Sequence, residues 1–225
     1  RKCLGKMEDV AKGGRTVLFV SHNMAAIASL CSRAILLNKG KIICDDQTDM
    51  VIKQYMQASM ESTIENLKDR RDRSGDGDVR ATSLEVESTS PDKIIRVTSK
   101  LKITIRYESA DVIRYPKFLL GIYDYTSRGI FLLDSDAVGG LPTELPAKGT
   151  VTCVTEPINL TPGACYINLA IYKGAAMNDY IQSATRFTVE AEDVYGTGKI
   201  PPRDWVLGVL KNQWSLGETE DGSDV

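Results

Sequence analysis

Leu101-Lys102-Ile103-Thr104-Ile105-Arg106-Tyr107-Glu108 is the stretch that decides the fold. Its apolar residues Leu101, Ile103, Ile105 and Tyr107 alternate with Lys102, Thr104, Arg106 and Glu108. A period of two belongs to a strand with one face on a core and the other in water. The same period returns downstream. Phe118, Leu120 and Ile122 alternate with Leu119, Gly121 and Tyr123, and Ile167, Leu169 and Ile171 with Asn168, Ala170 and Tyr172. Further strands are expected at 79–86, 93–97, 129–133, 150–155, 184–189 and 205–210. Turn signals separate them: Ser90-Pro91-Asp92, Ser127-Arg128-Gly129, Gly139-Gly140 and Thr161-Pro162-Gly163. Many short strands at this spacing predict an antiparallel β-sandwich, immunoglobulin-like or jelly-roll in type, over about 79–215.

Upstream the pattern changes. Residues 69–78, DRRDRSGDGD, contain no apolar side chain. A segment that buries nothing cannot offset its ordering entropy, so it reads as a linker. Before it, over 1–68, helix and strand alternate. Leu4, Met7, Val10 and Ala11 recur at helical spacing, and Thr16 to Val20 is apolar on both faces, as a strand inside a covered parallel sheet would be. A helix is expected over 24–31. Ala34-Ile35-Leu36-Leu37, the turn Asn38-Lys39-Gly40 and Lys41-Ile42-Ile43-Cys44 make a hairpin. Thr48 can cap a helix whose stripe is Ile52, Met56, Met60, Ile64 and Leu67, with packing against its own domain or a partner helix as the plain reading. Residues 216–225 are expected to fray.

Composition narrows the function. The 225 residues carry 28 Lys plus Arg against 30 Asp plus Glu, a net charge of −2, which argues against nucleic acid as a partner. The longest apolar runs, 118–123 and 205–210, are far short of the ~20 residues that a membrane-spanning helix needs. The chain opens Arg1-Lys2-Cys3, with neither an initiator Met nor a signal peptide, and is read as part of a longer protein. Its five cysteines have no regular spacing and read as free thiols, and the sequon Asn159-Leu160-Thr161 is set aside. His22 is the one histidine, which excludes a multi-histidine metal site. Asp134-Ser135-Asp136 is a D-x-D, a pattern more at home in a turn than in catalysis. Glu85 and Glu87 share a face of one strand and cannot flank a substrate as acid and base. Cys153 and Cys165 read as buried thiols.

The passage Gly14-Arg15-Thr16-Val17-Leu18-Phe19-Val20-Ser21-His22-Asn23 resembles the switch-histidine segment of ABC-transporter ATPases. Ser32 to Ile42 resembles the hairpin that follows it, and Asp45-Asp46-Gln47-Thr48 with Val51-Ile52-Lys53-Gln54-Tyr55 the helix that closes the nucleotide-binding domain. That resemblance implies that His22 donates a hydrogen bond to the γ-phosphate of ATP in the complete subunit, with Mg as the accompanying ion. No G-x-x-x-x-G-K-[ST] occurs: Gly5-Lys6 is followed by Met7 and Gly198-Lys199 by Ile200. The family's signature motif is missing too. Neither ATP nor Mg is therefore expected to bind this chain alone, and no hydrolysis is expected from it. The fold class is mixed: a truncated α/β remnant of an ABC ATPase domain, then the sandwich.

Phe118-Leu119-Leu120-Gly121-Ile122-Tyr123-Asp124, Leu160-Thr161-Pro162-Gly163-Ala164-Cys165-Tyr166, and the pair 189–196 and 205–214 resemble the C-terminal extension of Wzt-type ATP-binding subunits of O-antigen exporters. The resemblance implies a sandwich that binds the exported polysaccharide, a membrane-spanning permease partner, a homodimer, and a cytoplasmic place at the inner face of the plasma membrane. Sugar rings offer an apolar C–H face rimmed by hydroxyls, and aromatic faces beside short polar groups suit them. Strand parity puts Arg106, Tyr123, Tyr166, Asn168 and Tyr172 on outward faces, with Tyr125 nearby. The alternative is a sandwich that serves only as a dimerisation or protein-docking module. A β-sandwich hydrolase or lyase is disfavoured, because the predicted sandwich has no histidine and no opposed carboxylate pair.

Overall fold

The computed structural model describes residues 16–20, 27–28, 30–38, 40–58, 64–200, 203 and 205–215. The helix expected around Leu4 to Ala11, His22, Met60 and the tail 216–225 lie outside the described residues. Residues 16–20 form no ladder among the described residues, with Leu18 87% and Val20 96% exposed. A strand apolar on both faces is held by layers that cover it, and no described element covers this one.

The expected hairpin is present: β1 (Arg33–Asn38) pairs antiparallel with β2 (Lys41–Gln47), turning at Gly40. Helix α1 (Thr48–Ala58) follows at once. Thr48 starts it, but its hydroxyl donates 2.6 Å to the Cys31 carbonyl, which ties the helix to the segment before β1. Val51 and Ile52 are buried. The stripe does not continue as helix, because Ile64 opens β3 (Ile64–Asn66) and Leu67 lies wholly inside the sandwich core.

The remaining elements are β4 (Arg73–Ser74), β5 (Val79–Ser88), β6 (Lys100–Ser109), β7 (Ile113–Arg114), β8 (Pro116–Asp124), β9 (Gly129–Asp134), β10 (Glu144–Leu145), β11 (Lys148–Pro157), β12 (Gly163–Lys173) and β13 (Ala176–Val189). They make an antiparallel β-sandwich. One sheet runs β11-β6-β5-β3, the other β4-β13-β12-β8-β9, and β7 pairs with β10 at the margin. Leu84, Leu101, Ile103 and Ile105 from the first sheet meet Leu120, Ile122, Ile167, Leu169 and Ile171 from the second, all at most 2% exposed. Each contributes about 1.5–3 kcal/mol on burial. The alternation that defines β6, β8 and β12 is therefore the alternation that fills the core.

Three expectations need correction. The charged stretch 69–78 is not a free linker. Within it β4 pairs with β13, Tyr180 opposite Ser74 and Ile181 opposite Arg73. Arg73 donates to Asp179, to the Leu67 carbonyl at 2.9 Å and to the Ala81 carbonyl at 3.1 Å, while Asp179 also accepts from the Ala81 amide at 2.9 Å. Gly75 takes φ +114°, where a Cβ would run into the Asn178 carbonyl. Ion pairing, not apolar burial, orders this segment, and composition carries no trace of it. Residues 93–97 bury Ile95 and Val97 yet form only an isolated bridge, Arg96 with Glu190; the Pro91-Asp92 turn and a left-handed Lys93 keep them out of the ladder. Residues 205–210 likewise add one bridge, Gly208 with Leu160, and leave Trp205 83% exposed.

Four described cysteines, Cys31, Cys44, Cys153 and Cys165, are free. Cys153 and Cys165 stand on different sheets, and burial pushes both thiols upward from their ordinary pKa. No helix among the described residues is long and apolar enough to cross a membrane.

Candidate functional site

β12 pairs on one side with β8 and on the other with β13, so its outward residues lie mid-sheet. Tyr166 stands directly opposite Tyr123, and cross-strand partners on one face touch. Their rings stack, centroids 5.3 Å apart and planes within 11°. Two residues before Tyr123, Gly121 has no side chain, and the ring occupies that gap: a Cβ on Gly121 would lie 2.7 Å from the Tyr123 Cε2. Small Ala170 is flanked across the ladder by Tyr180, and Tyr172 closes the row. Burial pushes the Tyr166 and Tyr180 phenols upward, and the neighbouring Tyr123 phenol adds to both. Four tyrosines thus crowd one outer sheet face around a floor of Gly121, Asn168 and Ala170.

Of the residues expected here, Tyr123, Tyr166, Asn168 and Tyr172 do share this face, with Tyr125 in the same cluster beyond Tyr123. Tyr166 and Asn168 are not solvent-facing, at 3% and 7% exposure. Helix α1 covers Tyr166: Ile52, itself 3% exposed, packs on it beside Ile27, Ala28, Tyr55, Tyr125 and Ala164. Arg186, opposite Tyr166 on β13, holds the helix further, its guanidinium 4.6 Å above the Tyr55 ring and donating 2.8 Å to the Tyr55 hydroxyl. Parity finds the outward face but not what lies on it. Asn168 meets a bulge in β13, where Ser183 takes a left-handed conformation, and its Oδ1 accepts the Ser183 amide at 2.7 Å. Its amide repairs the ladder rather than facing water.

Arg106 does not join the group. It stands exposed on β6, in the other sheet, opposite Thr150 and Ser83. The core separates it from the tyrosines, because alternation says that a residue faces out and not which sheet carries it.

Tyr180, Leu132 and Lys117 complete the face and were not expected. Leu132 pairs with Gly121 and is 68% exposed. Lys117 pairs with Tyr172, and its Nζ lies 3.2 Å from Asp134 and 3.8 Å from Asp136. The Asp134 carboxylate holds that ammonium above its ordinary pKa. Asp134 also accepts the amides of Asp136 at 2.9 Å and Ala137 at 3.3 Å, the turn role anticipated for this D-x-D. Among the described residues no group of three or more His, Cys, Asp or Glu could hold a metal ion. Tyr180 is legible only once β13 is known to begin at Ala176, since Ile181 inside then places Tyr180 outside.

Known proteins agree with this architecture. The chain is 28% identical over 111 residues to the ABC transporter protein AbcA of Aeromonas salmonicida, covering 48% of this chain and 35% of that protein. It is 35% identical over 57 residues to the O-antigen export system ATP-binding protein RfbB of Klebsiella pneumoniae, covering 25% of this chain and 23% of that protein. The chain thus spans about a third or less of these relatives. The solved structure of the C-terminal domain of Wzt superposes with a TM-score of 0.52 at 12% identity, over 64% of this chain and 87% of that one, which shows a common fold. The family model of the Wzt C-terminal domain matches residues 70–200, more than half of the chain, with its start inside the ion-paired segment that completes the sandwich. The chain belongs to the Wzt C-terminal domain family.

Proposed function

We propose that the sandwich binds the polysaccharide moved by an ABC exporter, at the tyrosine face of the β4-β13-β12-β8-β9 sheet. The observation that carries this reading is the row of partly exposed rings Tyr123, Tyr172 and Tyr180 around Gly121 and Ala170, with Tyr123 seated over Gly121 and held from behind by its stack on the covered Tyr166. Aromatic planes fixed around a floor of Gly121 and Ala170 suit a sugar's apolar C–H faces. A shallow face suits a long polymer held by weak repeated contacts, and two copies of the chain would multiply them. In this reading the chain is the C-terminal part of an ATP-binding subunit that pairs with a second copy and with a membrane-spanning permease, on the cytoplasmic side of the membrane. ATP, Mg and the hydrolytic role of His22 belong to the complete subunit. Helix α1, which closes the ATPase-like segment and packs on Tyr166, would link the recognition face to that part.

The direct test immobilises the chain and measures retention of the source organism's purified surface polysaccharide. Retention that falls at least several-fold in Tyr172→Ala and Tyr180→Ala supports the reading, and equal retention by both variants refutes it. One observation favours a docking module instead. An apolar groove of about 430 Å³ runs between β9 and residues 207–210, and the same C-terminal segment exposes Trp205, Leu210 and Trp214. If Leu210→Ser and Trp214→Ser convert a dimer into a monomer without changing retention, that segment serves association alone.

A further inference from the structure

The part of the tyrosine face that α1 leaves uncovered is almost without free charge. Leu119, Leu132, Tyr123, Tyr172 and Tyr180 surround Gly121 and Ala170 there. Among the described residues, the ionised groups on the outward rows of β8 and β9 and the turn that follows them are Lys117, Asp134 and Asp136. They sum to one negative charge, and the lone ammonium lies between the two carboxylates. Of the cations around it, Arg186 is turned to Tyr55 beneath the helix, and Arg70 is held by Asp72 and the Gln182 and Ser183 carbonyls. Lys173 lies 4.0 Å from Asp78, and Arg128 stands exposed on the β8–β9 turn beyond Tyr123. A polymer carrying phosphate or carboxylate groups needs unpaired Arg or Lys to receive it. Here it would meet Asp134 and Asp136 at the open end, and Lys117 could reach it only by leaving Asp134.

Resting on the glycan reading above, we infer that this face selects an uncharged glycan and turns away polyanionic ones. Apolar ring faces lie against Tyr172, Tyr180 and Leu132, and sugar hydroxyls donate to the carboxylate oxygens. Like-charge juxtaposition weakens the competing polyanion by about tenfold or more. Binding of the uncharged polymer should also be nearly independent of salt, since no counterions are displaced.

The experiment splits the polysaccharide pool of the source organism by anion exchange and titrates each fraction into the ¹⁵N-labelled full chain. The expected result is that the unretained, neutral fraction shifts the amides of Gly121, Ala170 and Tyr172, equally at low and high salt. The retained, anionic fraction should need about tenfold more polymer for the same shift, a gap that narrows in the double variant Asp134→Asn, Asp136→Asn. Tighter binding of the anionic fraction, weakening with salt, overturns this inference and leaves the glycan reading standing. Silence from both fractions brings down the glycan reading itself.

Discussion

Replacing Arg73 by Ala tests the claim that the charged segment before β5 is part of the sandwich. The Arg73 side chain is 5% exposed and its partner Asp179 2%. Nε donates 2.8 Å to Asp179, Nη1 reaches the Leu67 carbonyl and Nη2 reaches both Asp179 and the Ala81 carbonyl. Truncation leaves a buried carboxylate with only the Ala81 amide as a described partner, and two carbonyls without the guanidinium. Breaking one side of such a pair costs about 3–5 kcal/mol, whereas an exposed pair is worth at most about 1 kcal/mol. Against a total stability of about 5–15 kcal/mol this is a large loss. Urea unfolding followed by far-UV circular dichroism should show the midpoint falling by about 2 M, from a slope near 2 kcal/mol per M. Arg73→Met with Asp179→Leu should recover most of that loss, because the uncompensated charge is gone. A shift worth under about 1 kcal/mol in Arg73→Ala would show that the segment is not seated in the core.

Other outcomes follow from the same contacts. Gly121→Val should displace the Tyr123 ring, cost about 0.5–1.5 kcal/mol from the lost stack and remove the ring-current shifts of Tyr166 in proton NMR. Asn168→Ala strands the part-buried Ser183 amide and should cost about 1 kcal/mol, seen as faster hydrogen exchange along the β12–β13 ladder. Ile52→Ala should open the Tyr166 contact, so that a solvent relaxation agent broadens the Tyr166 ring signals while the melting of the sandwich barely moves. Hydrogen bonding from Lys93 holds the Glu87 carboxyl below its ordinary pKa, with burial opposing and Lys102 assisting. The unfolded chain therefore takes up that proton first, so the stabilisation is whole above about pH 4.3 and is lost as pH falls further. Glu87→Gln should flatten that limb of thermal midpoint against pH.

How much of this was legible depends on the range over which each residue finds its partner. Leu101 to Tyr107 and Phe118 to Ile122 announce strands because the period is local and the burial it predicts is met by any covering layer. The hairpin at Gly40 is legible for the same reason. Arg73 and Asp179 lie 106 positions apart, so nothing near Arg73 reveals that a charged run is ordered. The bulge at Ser183 shifts the register of β13, and with it the meaning of Asn168, which parity alone placed in water. Arg106 shows the complementary limit: its outward direction was right, yet sheet order decides which outer face it joins. Tyr166 faces outward as the pattern demands, but α1 arrives from outside the sandwich to cover it.

The most direct measurement is a set of intermolecular NOEs between ring protons of the chain and the sugar protons of its bound polysaccharide. Binding at the tyrosine face predicts cross-peaks to Tyr123, Tyr172 and Tyr180 and none to the side chain of Arg106. Contacts confined to the sheet that carries Arg106, or a bound polymer with no contact to any of the three rings, would contradict it.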